Sequence, residues 1–270
     1  MSDSSTTEAV VAEEPLLELA GVLDVEPPYS LLVGGEVPPL WHWALFHGPL
    51  RREHLGPDGH RFDDVPTAPG PDYSRVYAGG RVSVLGPLRV GVPAERRAAT
   101  TARVEKRGRS GPGVLVSVAV DVVQDGSLAV LERVDLYYRP RVASVHRTVP
   151  EPPAPTTLDP TSDGFLADQV TLFRFSAVTR NAHRIHYDAD FARADGHPGI
   201  LVHGPLQALL LSEHLRVAGA WVPGAVLDYR LVAPAYAGSR LRVVPGADGI
   251  GILDQRDTLT ARARLEPPNT

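Results

Sequence analysis

The sequence contains no cysteine among its 270 residues. Disulfide bonds and thiolate chemistry are therefore both excluded, and with them a secreted domain held together by disulfides. No apolar run approaches the ~20 residues that a membrane-spanning helix needs. The first residues, M-S-D-S-S-T-T-E, are polar and acidic and lack the basic start and apolar middle of a signal peptide. These absences predict a cytoplasmic protein with no membrane partner.

A strong excess of charge is also missing, since 27 Lys and Arg stand against 32 Asp and Glu, a formal net charge of −5. The basic residues are dispersed along the chain, so the sequence offers no basic patch for a nucleic acid. The chain is long enough to bury a substantial hydrophobic core, either in one large domain or in two domains of ordinary size.

A proline-rich segment divides the chain into two halves of similar length. Residues 143–165 contain five prolines among small and polar residues. Because proline lacks the backbone N–H that helices and sheets use, we expect a semi-rigid linker there. The expected organisation is a disordered polar tail at residues 1–14, a first domain at 15–142, the linker at 143–165, and a second domain at 166–270.

In the first half, apolar spacing predicts a short helix at residues 15–23, a short strand at 29–33 and a second helix at 38–46, where prolines precede an aromatic-rich run. Alternating apolar residues from 75 to 139 predict a meander of at least four antiparallel strands, with Asp125-Gly126 as a hairpin turn.

A long loop at residues 50–71 separates these two parts and is rich in Gly, Pro, Asp and His. The acidic and histidine side chains of this loop could suggest a metal site; they are His54, Asp58, His60, Asp63 and Asp64. Their spacing fits no standard metal-binding pattern, so we expect no metal there.

The second half follows a similar order. Residues 169–175 are expected to form a strand, 187–194 a short helix, and 205–217 the longest helix, which is apolar nearly all round and should be buried. Antiparallel strands are expected at 225–232, 240–244, 249–256 and 258–265. Each half thus reads as a loop-rich start, an apolar helix and a β-meander. This predicts an α+β double hotdog, with two antiparallel sheets each wrapped on a central helix.

Polar residues that can move protons concentrate just ahead of the long helix. Histidine suits proton transfer because its unperturbed pKa lies near neutral pH, and the first amides of a helix suit an oxygen that gains negative charge. His186 and the helix start at Gly204 supply both, and Asn181 can orient water or substrate with its amide. Hydration of an enoyl thioester needs these parts: a base for water, a proton for the α-carbon and stabilisation of the thioester oxygen.

Other roles for these residues stay open. His186 could be a structural histidine that donates to a backbone carbonyl. His183 and His186, three positions apart, could seat a metal with a third ligand from His197, His203 or Asp188. His203 could simply brace the start of the helix.

The stretch T-R-N-A-H-R-I-H-Y-D, followed by G-H-P-G-I-L-V-H-G-P-L-Q-A-L-L-L, strongly resembles the MaoC-like double-hotdog proteins. In the first half, P-P-L-W-H-W, L-G-P-D-G-H, Y-A-G-G-R and G-R-S-G resemble the branch that contains mesaconyl-CoA and itaconyl-CoA hydratases and mitochondrial 3-hydroxyacyl-thioester dehydratases. The resemblance covers roughly residues 15–265. It implies hydration or dehydration of an acyl thioester carried by CoA or acyl-carrier protein, with no metal or redox cofactor.

The wider family's hydratase motif is D-x-N-P-x-H. Aligned on His186, its aspartate falls at Asn181 and its asparagine at His183. Either His186 acts alone while Asn181 holds water, or His183 or Asp188 takes a supporting role. The first half has no such motif, and the resemblance suggests that it shapes the substrate channel.

Substrate binding is expected at His203, Gly204 and Arg184. Two alternative functions stay open: a cyclase or isomerase of a specialised, polyketide-like pathway that uses the same oxyanion site, and a non-catalytic double hotdog that binds acyl chains or a partner subunit. Further pairing of double hotdogs into a homo-oligomer is compatible with such a fold.

Overall fold

The computed structural model describes residues 3–28, 31, 34–61, 65–70, 73–108, 111–140 and 164–268. Within these residues the α-helices are α1 (Glu14–Leu23), α2 (Gln169–Val178), α3 (Ala189–Ala194) and α4 (Gly204–Val217). The strands are β1 (Ser4–Val10), β2 (Tyr73–Val84), β3 (Pro93–Gly108), β4 (Gly111–Gln124), β5 (Ser127–Pro140), β6 (Phe165–Ala167), β7 (Val226–Leu231), β8 (Ser239–Gly246), β9 (Gly249–Leu253) and β10 (Leu259–Glu266). Short 3₁₀ turns lie at Trp41–Ala44, Arg52–His54 and Arg184–His186.

These ten strands form one antiparallel sheet in the order β1-β3-β4-β5-β2-β7-β10-β9-β8-β6. In each half the strands follow the order first, third, fourth, fifth, second. The halves meet through their second strands, β2 and β7, where Gly80 pairs with Tyr229 and Val82 with Leu227. The halves therefore repeat one topology, and the two expected sheets are halves of one continuous sheet.

The second half of the sheet packs on α4. This helix contacts β7, β8, β9 and β10, and also β2 of the first half. Leu206, Leu209 and Leu211 are fully buried, and burial of each such side chain stabilises the fold by about 2 kcal/mol. The long apolar helix predicted for this half is confirmed, and it holds the central position that the sequence indicated.

The helix expected around the two neighbouring tryptophans of the first half is only a 3₁₀ turn, Trp41–Ala44. Leu40 before it and Phe46 after it have φ angles of 69° and 62°, which a right-handed helix cannot contain. The turn is tied instead to α4, because the buried Trp41 donates its Nε1–H to Glu213 Oε1 at 2.7 Å.

The prediction of a disordered tail at residues 1–14 is wrong for the described part of that segment. β1 pairs with β3 along its whole length, and α1 already begins at Glu14. A strand at a sheet edge is held by backbone hydrogen bonds and needs few apolar side chains. The polar composition of β1 therefore gave no sign of it.

The strand predicted at residues 169–175 is also wrong, since this segment lies in α2. Asp168 caps the helix, and its Oδ1 accepts the backbone N–H of Thr171 at 2.8 Å. Leu172 and Phe175, three positions apart, form the buried face, which is helical rather than alternating spacing.

Strand β6 and the 3₁₀ turns at Arg52–His54 and Arg184–His186 were not predicted, whereas α1, α3, the strands β2 to β5 and the strands β7 to β10 agree with the sequence. The hairpin turn between β4 and β5 has φ angles of 51° at Asp125 and 74° at Gly126, the backbone of a type I′ turn. Most of residues 29–33 and of the predicted linker at 143–165 lie outside the described residues, so both stay predictions. No helix in the described part of the chain is both long enough and apolar enough to cross a lipid bilayer.

Candidate active site

Four histidines form a row beside the start of α4. The rings of His60 and His183 stack with their centroids 3.7 Å apart. His183 meets His186 edge-on at 5.6 Å, and His186 stacks on His203 at 3.7 Å. The structure thus brings together three histidines that the sequence singled out and adds a fourth, His60, from the first half.

His186 belongs to the 3₁₀ turn Arg184–His186, and its Nδ1 lies 2.9 Å from the carbonyl oxygen of Leu201. A carbonyl can only accept, so Nδ1 carries the hydrogen and Nε2 holds the lone pair. Burial lowers the pKa of His186 to about 4, an effect that the Leu201 carbonyl opposes and His197 strengthens. The carbonyl contact considered for a structural histidine is present, but it leaves Nε2 as a neutral base at pH 7.

His203 occupies the N-cap position of α4 and is fully buried. Its Nε2 lies 2.9 Å from Ser176 Oγ, while its buried Nδ1 has no hydrogen-bond partner among the described residues. Burial holds the pKa of His203 well below its usual value, and His186 acts in the same direction. The ring of His203 therefore has no exposed surface in this structure, and one of its faces is covered by His186.

The beginning of α4 is formed by Gly204 and Pro205. The first N–H groups of a helix have no partner within it, and proline has none, so Gly204 and Leu206 supply the donors of this first turn. The positive end of the helix dipole favours an oxygen that gains negative charge. A Cβ on Gly204 would lie 3.2 Å from Tyr77 Cδ1 and 3.4 Å from Leu231 Cγ, so close packing against the sheet also favours glycine.

Asn181 builds the turn that leads from α2 to His183. Its Oδ1 accepts the backbone N–H of His183 at 3.1 Å, and Arg180 before it has a φ of 47°. Asn and Asp side chains stabilise such turns by bonding to the backbone two residues on. The side-chain N–H₂ group takes no part in this bond, so it is a donor suited to a water molecule or a thioester oxygen.

Arg184 and Asp188 are engaged with each other. Two guanidinium nitrogens of Arg184 donate to Asp188 Oδ2 at 2.7 and 3.1 Å, and Asp188 Oδ1 caps α3 by accepting the backbone N–H of Phe191 at 2.9 Å. The bonds from Phe191 and Arg184 lower the pKa of Asp188. Arg184 also donates to the carbonyl of Pro57 at 3.2 Å. Both residues therefore stabilise the local fold, and each carboxylate oxygen of Asp188 already accepts at least one hydrogen bond.

A turn of the first half packs directly against this segment. Gly59 has a φ of 85°, and a Cβ there would lie 2.7 Å from the carbonyl carbon of Ala182 and closer still to its oxygen. The carbonyl of Asp58 accepts the backbone N–H of Arg184 at 2.8 Å. The backbone of this turn is therefore in direct contact with the backbone of the segment that carries His183 and His186.

His60 ends this turn. Its Nδ1 lies 3.5 Å from Asp58 Oδ2. Burial lowers the pKa of His60 to about 3; Arg75 acts in the same direction, and Asp58 opposes it. Like His186, this ring is neutral at pH 7.

One group of donors in the described residues could hold a metal ion. Asp58, His60 and His183 each bring one ligand atom within 4.8 Å of the others. Two imidazoles and a carboxylate suit zinc and related transition metals. His186 is not part of this set, so the metal site considered for His183 and His186 together is not what the structure assembles.

Residues 40–237 match the family model for hydroxyacyl-thioester dehydratase type 2. The chain belongs to this family. Mesaconyl-C(4)-CoA hydratase from Chloroflexus aurantiacus is 37% identical over 244 residues, which cover 87% of this chain and 84% of that protein. This member of the dehydratase family is accordingly a hydro-lyase of the acyl-thioester class, and the resemblance to MaoC-like hydratases and dehydratases is confirmed.

Solved structures confirm the fold of this dehydratase-family protein. A MaoC-like dehydratase from Phytophthora capsici has a TM-score of 0.69 at 15% identity, covering 100% of this chain and 97% of that one. A Mycobacterium tuberculosis protein described as having a double hotdog fold has a TM-score of 0.54 at 14% identity, covering 98% and 94%. At these identities the likeness shows the fold alone, and the predicted double hotdog is confirmed.

Three groups that contact the histidines of this dehydratase-family site were not predicted from the sequence as part of it. The carbonyl of Leu201 and the hydroxyl of Ser176 each contact a histidine ring nitrogen, and no sequence signal marks either one. The third is the turn with His60, which the sequence suggested only as a metal ligand. The run L-G-P-D-G-H, which resembles the hydratase branch, was the signal that could have placed it in the site.

Proposed function

We propose that this protein adds water to an enoyl thioester, or removes water from a 3-hydroxyacyl thioester, with His186 as the acid–base group. One observation supports this role above all: the carbonyl of Leu201 fixes Nδ1 of His186 as an N–H, so Nε2 is the base. The low pKa of His186 keeps the ring neutral at pH 7, so Nε2 carries no proton when hydration begins. Membership of the dehydratase family supports the reaction class, with the acyl group carried by CoA or a carrier protein.

In the hydration direction, water loses a proton to Nε2 of His186 as its oxygen bonds to the β-carbon. The electron pair of the carbon–carbon double bond moves toward the α-carbon and the thioester oxygen, which gains negative charge. The N–H groups of Gly204 and Leu206, at the positive end of α4, stabilise that oxygen. His186 then returns the proton to the α-carbon. The ring ends the cycle neutral, and dehydration is the reverse sequence.

The other candidate residues support these groups. His203 holds the plane of the base by stacking on it, and His183 borders it edge-on. Asn181 donates its side-chain amide to the water or to the substrate. Asp188 and Arg184 keep the turn that carries the base in place.

Replacement of the base tests this function. In His186→Gln the side chain no longer accepts the proton, so we expect kcat to fall about 1,000-fold while the fold is retained. Loss or gain of enoyl absorbance is followed in both directions with mesaconyl-C(4)-CoA, the substrate named for the relative, and with short and long enoyl-CoA thioesters. The control is His54→Gln, a partly exposed histidine of the first half. Wild-type turnover in His186→Gln, or a wild-type protein inert toward every thioester, would contradict the proposal.

A further inference from the structure

His60 is an imidazole of the candidate site that the mechanism above leaves without a role. The first half carries it, and its ring stacks on His183 with 29° between the ring planes. His183 in turn meets His186 edge-on at 5.6 Å, so His60 belongs to the same row of rings as the base. The first half of the chain thus adds an imidazole to the cluster around the base.

Asp58 orients this ring. One carboxylate oxygen, Oδ2, faces Nδ1 of His60 at 3.5 Å, and the other accepts the backbone N–H of His60 at 3.1 Å. A carboxylate can only accept, so it favours the tautomer with the hydrogen on Nδ1 and the lone pair on Nε2. His60 is therefore an acceptor of the same kind as His186.

A water molecule that attacks a β-carbon has two hydrogens, and the base takes only one of them. The second must be held by an acceptor so that a lone pair of the oxygen faces the carbon. The carboxylate of Asp188 already accepts hydrogen bonds from Arg184 and from the cap of α3. The side-chain carbonyl of Asn181 already accepts the backbone N–H of His183. These bonds hold both groups to the local fold, which favours a ring nitrogen as the acceptor for the second hydrogen.

We propose that His60 is a water-positioning residue of this reaction, contributed by the first half of the chain. The role depends on the function proposed above. As the water oxygen bonds to the β-carbon, the O–H bond directed at His186 breaks and that proton passes to Nε2 of His186. The O–H bond held by Nε2 of His60 stays intact and becomes the hydroxyl of the product. His60 therefore keeps its protonation state, and in the dehydration direction the same contact holds the departing hydroxyl.

Two replacements of His60 separate this role from simple packing. Loss of one hydrogen bond to a reacting group in a buried site corresponds to about a 10- to 100-fold change in rate. We expect His60→Ala to lower kcat by that factor with KM almost unchanged. His60→Gln keeps an acceptor, so it should recover most of the lost kcat. Asp58→Asn, which removes the orienting carboxylate, should lower kcat several-fold. The matched control is His54→Ala in the same loop region, with wild-type kcat expected.

His186→Gln, assayed on the same thioester, keeps the two proposals apart. If His186→Gln is as active as the wild type, the proposed function has failed. If it is inactive while His60→Ala keeps wild-type kcat, the role of His60 alone is refuted. Equal loss of kcat in folded His60→Ala and His60→Gln, with folding checked by circular dichroism and thermal unfolding, would also refute it. The loss would then come from the packing of the imidazole ring and not from its hydrogen-bond acceptor. Activity that is lost in EDTA and restored by Zn²⁺ would assign Asp58, His60 and His183 to a metal instead, and would overturn the proposal.

Discussion

Gly59 offers a direct test of whether the first half positions the active-site histidines. Its φ of 85° lies in the left-handed region, and a Cβ there would collide with the carbonyl group of Ala182, next to His183. Gly59→Ala therefore forces the turn and the histidine-bearing segment apart. Since real Cβ atoms are not found that close to a carbonyl, the displacement has to be roughly 1 Å.

The expected loss has two parts. A left-handed alanine costs about 1–2 kcal/mol in backbone strain, and overpacking of a well-fitted contact adds about 1–3 kcal/mol. The overpacking displaces the backbone that leads into His183 and His186. A misplacement of about 1 Å at a reacting group lowers rates by about 100-fold, so we expect kcat of Gly59→Ala to fall by that factor.

Gly126→Ala is the matched control. Gly126, in the hairpin between β4 and β5, has a φ of 74°, yet a Cβ there would meet nothing within 4 Å. This variant carries the same backbone strain without the collision, so it should lose about 1–2 kcal/mol of unfolding free energy and keep wild-type kcat. Urea unfolding and steady-state kinetics are measured on both variants. If Gly59→Ala matches Gly126→Ala in both measurements, the turn does not position the site.

Two further predictions concern the buried base and the cap of α3. The pKa of His186 falls from 6.5 to about 4 on folding, so between pH 6.5 and pH 4 the unfolded chain takes up a proton that the folded ring does not, and stability falls as the pH drops. At pH 5 the contribution of His186 to this loss is about 2 kcal/mol. Urea unfolding at pH 7 and pH 5 should show a loss that is larger by this amount in the wild type than in His186→Gln, in which the buried His60 and His203 still resist protonation; equal losses in both proteins would contradict a buried neutral ring at position 186. Asp188→Ala should lower the unfolding free energy by about 1 kcal/mol through loss of the cap, whereas Asp188→Asn keeps a cap and should keep wild-type kcat; a folded Asn variant with strongly reduced kcat would show that the carboxylate moves protons.

The sequence predicted elements wherever a side-chain pattern decides the structure. The apolar run of α4 must be buried, and Asp125-Gly126 reaches the left-handed angles that a type I′ turn needs. It failed at β1 and at α2, where the composition of the segment indicated a different structure. β1 is held by backbone pairing to β3. In α2 the β-branched and aromatic residues suggest a strand, yet the cap at Asp168 and the spacing of Leu172 and Phe175 select a helix.

The site was predictable only in part for the same reason. His183, His186 and His203 lie close together in sequence, next to a helix start, so their proximity could be inferred. His60 reaches the site from more than one hundred positions away, by backbone contacts of Gly59 and Asp58 that depend on how the two halves dock. Such contacts between distant loops leave no periodic signal in a single sequence.

The repeated topology explains why the described residues form one such site and not two. In each half the helical elements lie between the first and second strands. In the second half this interval ends in α4, whose first amides lie next to His203. In the first half the 3₁₀ turn Trp41–Ala44 provides no comparable helix start, and its polar groups are committed to structure: His42 pairs with buried Glu132 at 3.1 Å, and Trp43 donates to the same carboxylate at 3.0 Å. A buried carboxylate has to remain paired, so His42, Trp43 and Glu132 stabilise the packing of this 3₁₀ turn against β5.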